Sequence, residues 1–255
     1  MSDIEFALSL ADVADQITLS RYLAQDLKIE TKPDATPVTE ADHATELKLR
    51  DLITTTFPDD GILGEEFGQS DGANSRVWVL DPIDGTKNYL RGVPVWATLI
   101  ALVENDEPIV GVVSCPALGR RWWASKDNGS FTSNFDGSIR KISVSGVSQI
   151  SDASFSYSDR VGWERFSGAF ERLTESVWRT RAYGDFLSHL LVAEGAVDIA
   201  AEPELKKWDM AANNIIVTEA GGLVTGFKGG RAFDELNALS TNGLLHRECL
   251  AIING

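Results

Sequence analysis

Val77-Trp78-Val79-Leu80-Asp81-Pro82-Ile83-Asp84-Gly85-Thr86 begins as an apolar, partly β-branched run and ends as an acidic turn. Its first four residues suit a buried strand. Pro82 has no N–H to give a central ladder, so the strand is expected to break there and leave Asp81 and Asp84 at the turn. If Thr86 and Asn88 then open a helix, the free N–H groups of its first turn face the space the two carboxylates share, which suits an anion held beside cations. The same residues also read as an ordinary turn, since Asp, Gly and Asn are common turn formers and Asp often caps helices.

Two more acidic segments lie far away in the chain. Gly64-Glu65-Glu66-Phe67-Gly68 is upstream, and Trp208-Asp209-Met210-Ala211-Ala212 opens a helix-like apolar run downstream. Taken singly, Glu65 reads as a solvated turn acid, Asp42 and Asp209 as helix N-caps, and Thr86 as a first-turn residue. Taken together, Glu65, Asp81, Asp84 and Asp209 form the all-oxygen set that a hard cation such as Mg²⁺ prefers. The two cysteines, Cys115 and Cys249, are far apart and the three histidines lack metal-ligand spacing, so zinc is not expected. No Gly-x-Ser-x-Gly elbow, Gly-x-Gly-x-x-Gly loop or Gly-x-x-x-x-Gly-Lys-Ser/Thr loop is present, which argues against a serine hydrolase, a dehydrogenase or a nucleotide switch.

Gly64-Glu65-Glu66, Asp81-Pro82-Ile83-Asp84-Gly85-Thr86 and Trp208-Asp209-Met210-Ala211 resemble, in order and separation, the three signature blocks of the inositol monophosphatase family of magnesium-dependent phosphatases. Thr39-Glu40-Ala41-Asp42 resembles its early Thr-x-x-Asp segment. Within that family, Tyr183-Gly184-Asp185-Phe186, with the neighbouring residues 178–181 and 193–198, is similar to the histidinol-phosphatase branch found in actinobacteria. The resemblance implies an α/β (α+β) layered sandwich, alternating αβαβα, with the metal site between two halves. It also implies a phosphoric monoester hydrolase of histidine biosynthesis, converting L-histidinol phosphate to L-histidinol and phosphate. An inositol-1-monophosphatase or broad-specificity sugar phosphatase is the nearest alternative, and a non-catalytic divalent-metal-binding protein is a third reading.

The family's roles transfer position by position. Glu65, Asp81 and the Ile83 carbonyl are expected to hold one Mg²⁺, and Asp81, Asp84 and Asp209 a second, with a third ion near Glu65. A phosphate monoester is already anionic, so one cation activates the attacking water and the other steadies the leaving oxygen. Thr86, close to Glu65 and hydrogen-bonded to Asp42, is expected to orient that water. The N–H groups of Gly85 and Thr86 are expected to receive phosphate oxygens. Glu66 is assigned to loop support. A substrate bearing an ammonium and an imidazole calls for carboxylates. Asp185 and Glu202 are the candidates, although Asp185 reads equally as a helix cap after Gly184. Arg179 and Arg181 share one side of a strand, either paired with acids near the site or solvated.

A chain of 255 residues with 43% hydrophobic content can build one large core or two packed halves. A formal charge of −15 argues against binding nucleic acid or anionic membrane. Residues 4–27 have helical rather than continuous hydrophobicity, without an apolar leader, and no stretch is long enough to cross a bilayer. A reducing cytoplasm is the expected compartment, and the resemblance implies a homodimer. After the first helix comes an exposed loop over 31–39 and a second helix over 41–55. An antiparallel meander follows over 96–103, 108–114 and 121–124. Strands at 153–157, 177–182, 197–200 and 223–225 then alternate with helices at 163–175, 186–194, 210–220 and 244–253. The halves are expected to divide near residue 148, with 1–148 holding most metal ligands and 149–255 supplying Asp209 and the specificity residues, as one functional unit. Lys228-Gly229-Gly230-Arg231 reads as an exposed turn.

Overall fold

The computed structural model describes residues 1–33, 36–134 and 136–255. Its helices are α1 (Asp3–Arg21), α2 (Glu40–Thr56), α3 (Thr86–Arg91), α4 (Ala169–Ser176), α5 (Asp185–Ala193), α6 (Lys207–Glu219), α7 (Ala232–Glu235) and α8 (His246–Asn254). In the amino-terminal region the strands are β1 (Ile29–Thr31), β2 (Pro37–Thr39), β3 (Gly61–Gly64), β4 (Gly68–Ser70), β5 (Arg76–Asp84), β6 (Ala97–Glu104), β7 (Glu107–Cys115), β8 (Arg120–Ser125), β9 (Gly129–Ser133) and β10 (Ile139–Ile142). Beyond them lie β11 (Ser154–Ser156), β12 (Arg179–Arg181), β13 (Ile199–Glu202), β14 (Leu223–Thr225) and β15 (Ala238–Thr241).

Eight strands form a sheet in the order β10-β9-β8-β7-β6-β5-β3-β4, antiparallel except where β3 meets β5. The other five form a mixed sheet, β12-β11-β13-β15-β14. Strand periodicity decides what covers each face. Trp78 and Leu80 of β5, with Ile100 and Leu102 of β6, pack against Phe6 and Leu10 of α1 and Leu49 and Ile53 of α2. The alternate residues Val79, Leu99 and Ala101 face Phe186 and Leu190 of α5 and Ala211 and Ile216 of α6. Beyond these helices comes the smaller sheet, whose Phe155, Ile199 and Leu239 pack with Leu173 of α4 and Cys249 and Ile253 of α8. The layers therefore alternate αβαβα. Phe6 meets Trp78 edge-on with centroids 5.4 Å apart, a pairing that contributes roughly 0.5–1.5 kcal/mol beyond buried area.

The meander, α1, α2, α5 and α6 lie where their periodicity predicts. Several expectations need correction. β5 does not break at Pro82 but continues to Asp84, with a shift in its pairing to β6 between Asp81 and Asp84. The reason is that β3 pairs only as far as Leu80, so beyond it a missing N–H leaves no partner on that side unsatisfied. The stretch 31–39 holds parts of an antiparallel β1–β2 hairpin, Ile29 opposite Thr39; residues 34 and 35 of it lie outside the described residues. The helix expected at 163–175 is divided into a 3₁₀ turn at Trp163–Arg165 and α4, separated by Gly168 at φ +68°. Arg179 donates to the Ser154 hydroxyl and Arg181 to the Thr180 carbonyl, so neither pairs with an acid of the site.

Candidate active site

Asp81 follows Val79 by two residues and so projects from the sheet face that α6 covers. The pairing shift after it turns Asp84 toward the same space, and Asp209, the third residue of α6, enters from above. One carboxylate oxygen from each of Asp81, Asp84 and Asp209 lies within 4.8 Å of the other two. Asp84 Oδ2 accepts the Phe186 N–H at 2.9 Å, and Asp209 Oδ2 accepts the Lys206 N–H at 2.7 Å. Asp81 Oδ1 is buried without any hydrogen-bond donor. Among the described residues, no lysine or arginine forms an ion pair with any of the three.

Such a cluster resists ionisation. Burial, then the charges of Glu65, Asp84 and Asp209, raise the Asp81 pKa well above the carboxylate range. Burial and the charges of Asp185 and Asp209 do the same to Asp84, against the Phe186 N–H. Asp209 is pushed up to about 7, mainly by burial. Three crowded carboxylates, one with an orphaned buried oxygen, fit a divalent cation with oxygen ligands.

Glu65 lines the same cavity, of about 640 Å³, but does not join the three-acid group. Its Oε1 accepts from Lys32 Nζ at 2.7 Å, and Lys32 also reaches Glu66 Oε1 at 2.8 Å. An ammonium thus already occupies the side of the site where a cation was expected. The Glu66 side chain is 3% exposed, its carboxylate paired with Lys32. The loop itself is held by a residue that sequence reasoning missed. Glu46 of α2, wholly buried, accepts the N–H groups of Glu66 and Phe67 at 2.7 and 3.2 Å while paired with Arg50 Nε at 2.8 Å. A Cβ on Gly64 would sit 1.9 Å from the Glu46 carboxylate, so only glycine fits there. The i,i+4 spacing of Glu46 and Arg50 was the available signal.

Thr86 opens α3 after Gly85, which adopts φ +84°. Its expected bond to Asp42 is absent. Thr86 Oγ1 donates instead to the Ile83 carbonyl at 3.0 Å, so that carbonyl, an expected metal ligand, already accepts one bond. Asp42 is not an N-cap but the third residue of α2, where it closes a reciprocal capping box with Thr39: Oδ2 accepts the Thr39 N–H at 2.9 Å and hydroxyl at 2.6 Å. Its Oδ1 is buried and unpartnered, and burial pushes its pKa up to about 6.

Beside the acid cluster stands Asp185, the first residue of α5, at φ +47°, next to the Phe186 N–H that Asp84 accepts. Its N–H donates to Ser158 Oγ at 2.7 Å, and Ser158 donates to Glu202 Oε1 at 2.7 Å. Glu202 thus meets Asp185 only by way of Ser158: it is 6% exposed and is not among the residues lining the cavity, whereas Asp185 and Ser158 are. Burial pushes Glu202 up to about 8.

A profile of the inositol monophosphatase family matches residues 2–253. The chain belongs to the inositol monophosphatase family. Within this family it is 56% identical to a histidinol-phosphatase of Streptomyces coelicolor, covering 100% of this chain and 97% of that protein. It is 54% identical to a histidinol-phosphatase of Mycobacterium tuberculosis, covering 99% and 98%. Among solved family structures it superposes on an IMPase of Thermotoga maritima with a TM-score of 0.88 at 32% identity, over 100% of this chain and 97% of that one. The suhB protein of Bartonella henselae gives a TM-score of 0.90 at 27% identity, over 99% and 98%. The αβαβα sandwich of the family, metal dependence and phosphate-ester hydrolysis follow from this membership.

Proposed function

We propose that this chain is a Mg²⁺-dependent phosphatase that converts L-histidinol phosphate to L-histidinol and phosphate in histidine biosynthesis. The observation that carries the substrate assignment is Asp185, a carboxylate on the cavity wall facing the acid cluster, where a neutral polyol would need no charge. Two relatives above half identity and named histidinol-phosphatase support the same reading.

Glu65, Asp81, the Ile83 carbonyl, Asp84 and Asp209 would hold two to three Mg²⁺ ions, an oxygen donor set that favours Mg²⁺ over zinc. Bound there, the cations supply positive charge that stabilises the attacking and departing oxygens of a phosphate ester. The N–H groups of Gly85 and Thr86, at the cavity wall, receive phosphate oxygens. Thr86 Oγ1 and Glu65 orient the attacking water, Thr86 by accepting a hydrogen bond from it, and the Glu65 carboxylate takes its proton. Its oxygen bonds to phosphorus as the ester bond breaks, and the histidinol alkoxide takes up a proton from solvent water. Asp42 supports this pair from behind by fixing Thr39 and the first turn of α2. Asp185 receives a cationic group of the substrate, with Glu202 holding Ser158 beneath it.

Residues 1–148 and 149–255 work as one unit, since Asp84 and Phe186 join across that boundary. We also place the protein in the cytoplasm as a homodimer that binds neither nucleic acid nor membrane. Free, buried Cys115 and Cys249 suit a reducing compartment, no helix of the described residues is long and apolar enough to cross a membrane, and Trp178, 68% exposed, offers an apolar contact for a second copy.

The test is phosphate release by metal-stripped protein with and without Mg²⁺, comparing kcat/KM for histidinol phosphate and inositol 1-phosphate. A Mg²⁺-dependent preference for histidinol phosphate is expected. Preference for inositol phosphate would discard the role of Asp185, and no release from either would reinstate a non-catalytic metal-binding protein.

A further inference from the structure

Asn88 has no role in the assignments above, yet among the described residues it is the one side chain that hydrogen-bonds the Asp185 carboxylate, which it ties to the segment after Asp84. It lies in α3, two residues after Thr86. Its Nδ2 donates to the Val95 carbonyl at 2.9 Å and to Asp185 Oδ2 at 3.3 Å. The first bond pins the carboxamide to the backbone, and the second sets the rotation of the Asp185 carboxylate. Gly85 leaves the necessary room, since a Cβ there would approach Val95 O to 3.0 Å and Asp185 Oδ2 to 3.3 Å. The Asp185 backbone is fixed independently, by Ser158 on its own N–H and by Asp84 on the N–H of Phe186. Among the described residues Oδ1 has no donor, and Asp185 lines the cavity.

From this geometry we propose that Asn88 is a positioning residue for substrate selection, holding one oxygen of Asp185 so that the other is presented to the cationic portion of the substrate. The proposal rests on the histidinol-phosphate reading. An aspartate free to rotate must be ordered when the ammonium arrives, and that ordering is a cost of binding which Asn88 removes in advance. A neutral ester makes no use of the presented oxygen. Asn88 therefore acts on the difference between substrates, through KM rather than through kcat.

The test compares wild type, Asn88→Ala, Asn88→Ser and Asp185→Asn, alone and combined with Asn88→Ala, in the presence of Mg²⁺. For each, kcat and KM are measured on histidinol phosphate and inositol 1-phosphate, and the affinity for histidinol, which lacks the phosphate, by calorimetry. Loss of one ordered, charge-assisted contact predicts that Asn88→Ala and Asn88→Ser raise KM for histidinol phosphate and weaken histidinol binding about tenfold. The ratio of kcat/KM between the two esters should fall by the same factor. In the Asp185→Asn background, Asn88→Ala should change that ratio less than about twofold, because coupled residues are not additive. A ratio unchanged by either Asn88 variant, or losses that multiply in the double variant, would overturn the role of Asn88 alone. A wild-type enzyme without preference for histidinol phosphate would overturn the substrate reading and this proposal with it, and that outcome is visible before any variant is made.

Discussion

The two walls of the cavity are built on opposite principles. On one, Asp81, Asp84 and Asp209 crowd together with an orphaned buried oxygen and, among the described residues, no ion pair to a lysine or arginine. On the other, Asp185, Ser158, Glu202 and Asn88 form a continuous hydrogen-bonded chain. The first wall is left electrostatically incomplete, so a cation completes it. The second is held in place before ligand arrives, with Asp185 Oδ1 lacking a donor among the described residues, so it can discriminate rather than merely attract. Two bonds link them, Phe186 N–H to Asp84 Oδ2 and Asn88 Nδ2 to Asp185 Oδ2.

Removing metal should break the first wall most severely. Chelation is expected to abolish phosphate release from both esters, with recovery on adding Mg²⁺. Melting temperature should respond in a direction set by the raised pKa values. In cation-free protein the folded state retains protons on Asp81, Asp84 and Asp209 that the unfolded state has released. Stability is therefore lost as pH rises from the usual carboxylate range through about 7, the value for Asp209. Bound Mg²⁺ offsets that loss, so its stabilising effect should be largest above neutrality and shrink toward pH 4. A melting gain independent of pH would mean that the ions bind elsewhere.

Asp84→Asn comes next in size. The amide keeps an oxygen for the Phe186 N–H, so the fold should survive, while the lost charge should lower kcat/KM about a thousandfold on both esters alike. Activity within tenfold of wild type would refute the assigned ligands. Asp185→Asn should instead separate the substrates, costing about ten- to a hundredfold on histidinol phosphate, the scale of one hydrogen bond to a charged group, and little on inositol 1-phosphate. Equal loss on both would leave Asp185 a structural residue at the start of α5, where Gly184 is the N-cap and no side-chain cap bond is made.

The first wall was the more legible in sequence for a physical reason. A hard cation favours carboxylates, and strand ends and first helical turns are where short motifs place them, so Asp81, Asp84 and Asp209 stand out in the sequence as candidate ligands. Glu65 was equally visible, but its pairing with Lys32 was not, because thirty-three positions separate the two. Local periodicity likewise found α1, α2, α5, α6 and the central meander. It missed β9, β10 and β15, short segments such as Gly129–Ser133 whose strand character comes from their neighbours. Pro82 was misjudged because the sequence does not reveal that β3 ends beside Leu80. Thr86 and Asp42 each found a nearer partner than the other, through cap geometry that family likeness alone does not specify.

Glu202 is the smallest expected effect and the sharpest division between the walls. Family likeness assigns it to the substrate directly, whereas the structure buries it beneath Ser158 and points Oε1 at that hydroxyl. Burial pushes it up to about 8, so at neutral pH the folded protein holds it largely protonated. A neutral glutamic acid that accepts one hydrogen bond is closely imitated by glutamine. Glu202→Gln should thus change kcat/KM for histidinol phosphate by less than about threefold at pH 7, well below the effect of Asp185→Asn. Because the folded pKa is raised, wild type loses stability as pH rises from the ordinary glutamate range through about 8, and the glutamine variant should be spared that loss. Its melting temperature should exceed that of wild type most clearly at alkaline pH. If Glu202→Gln costs as much as Asp185→Asn, and only on the cationic ester, then a carboxylate at Glu202 reads the substrate itself, and the division between a presenting residue and its supports fails.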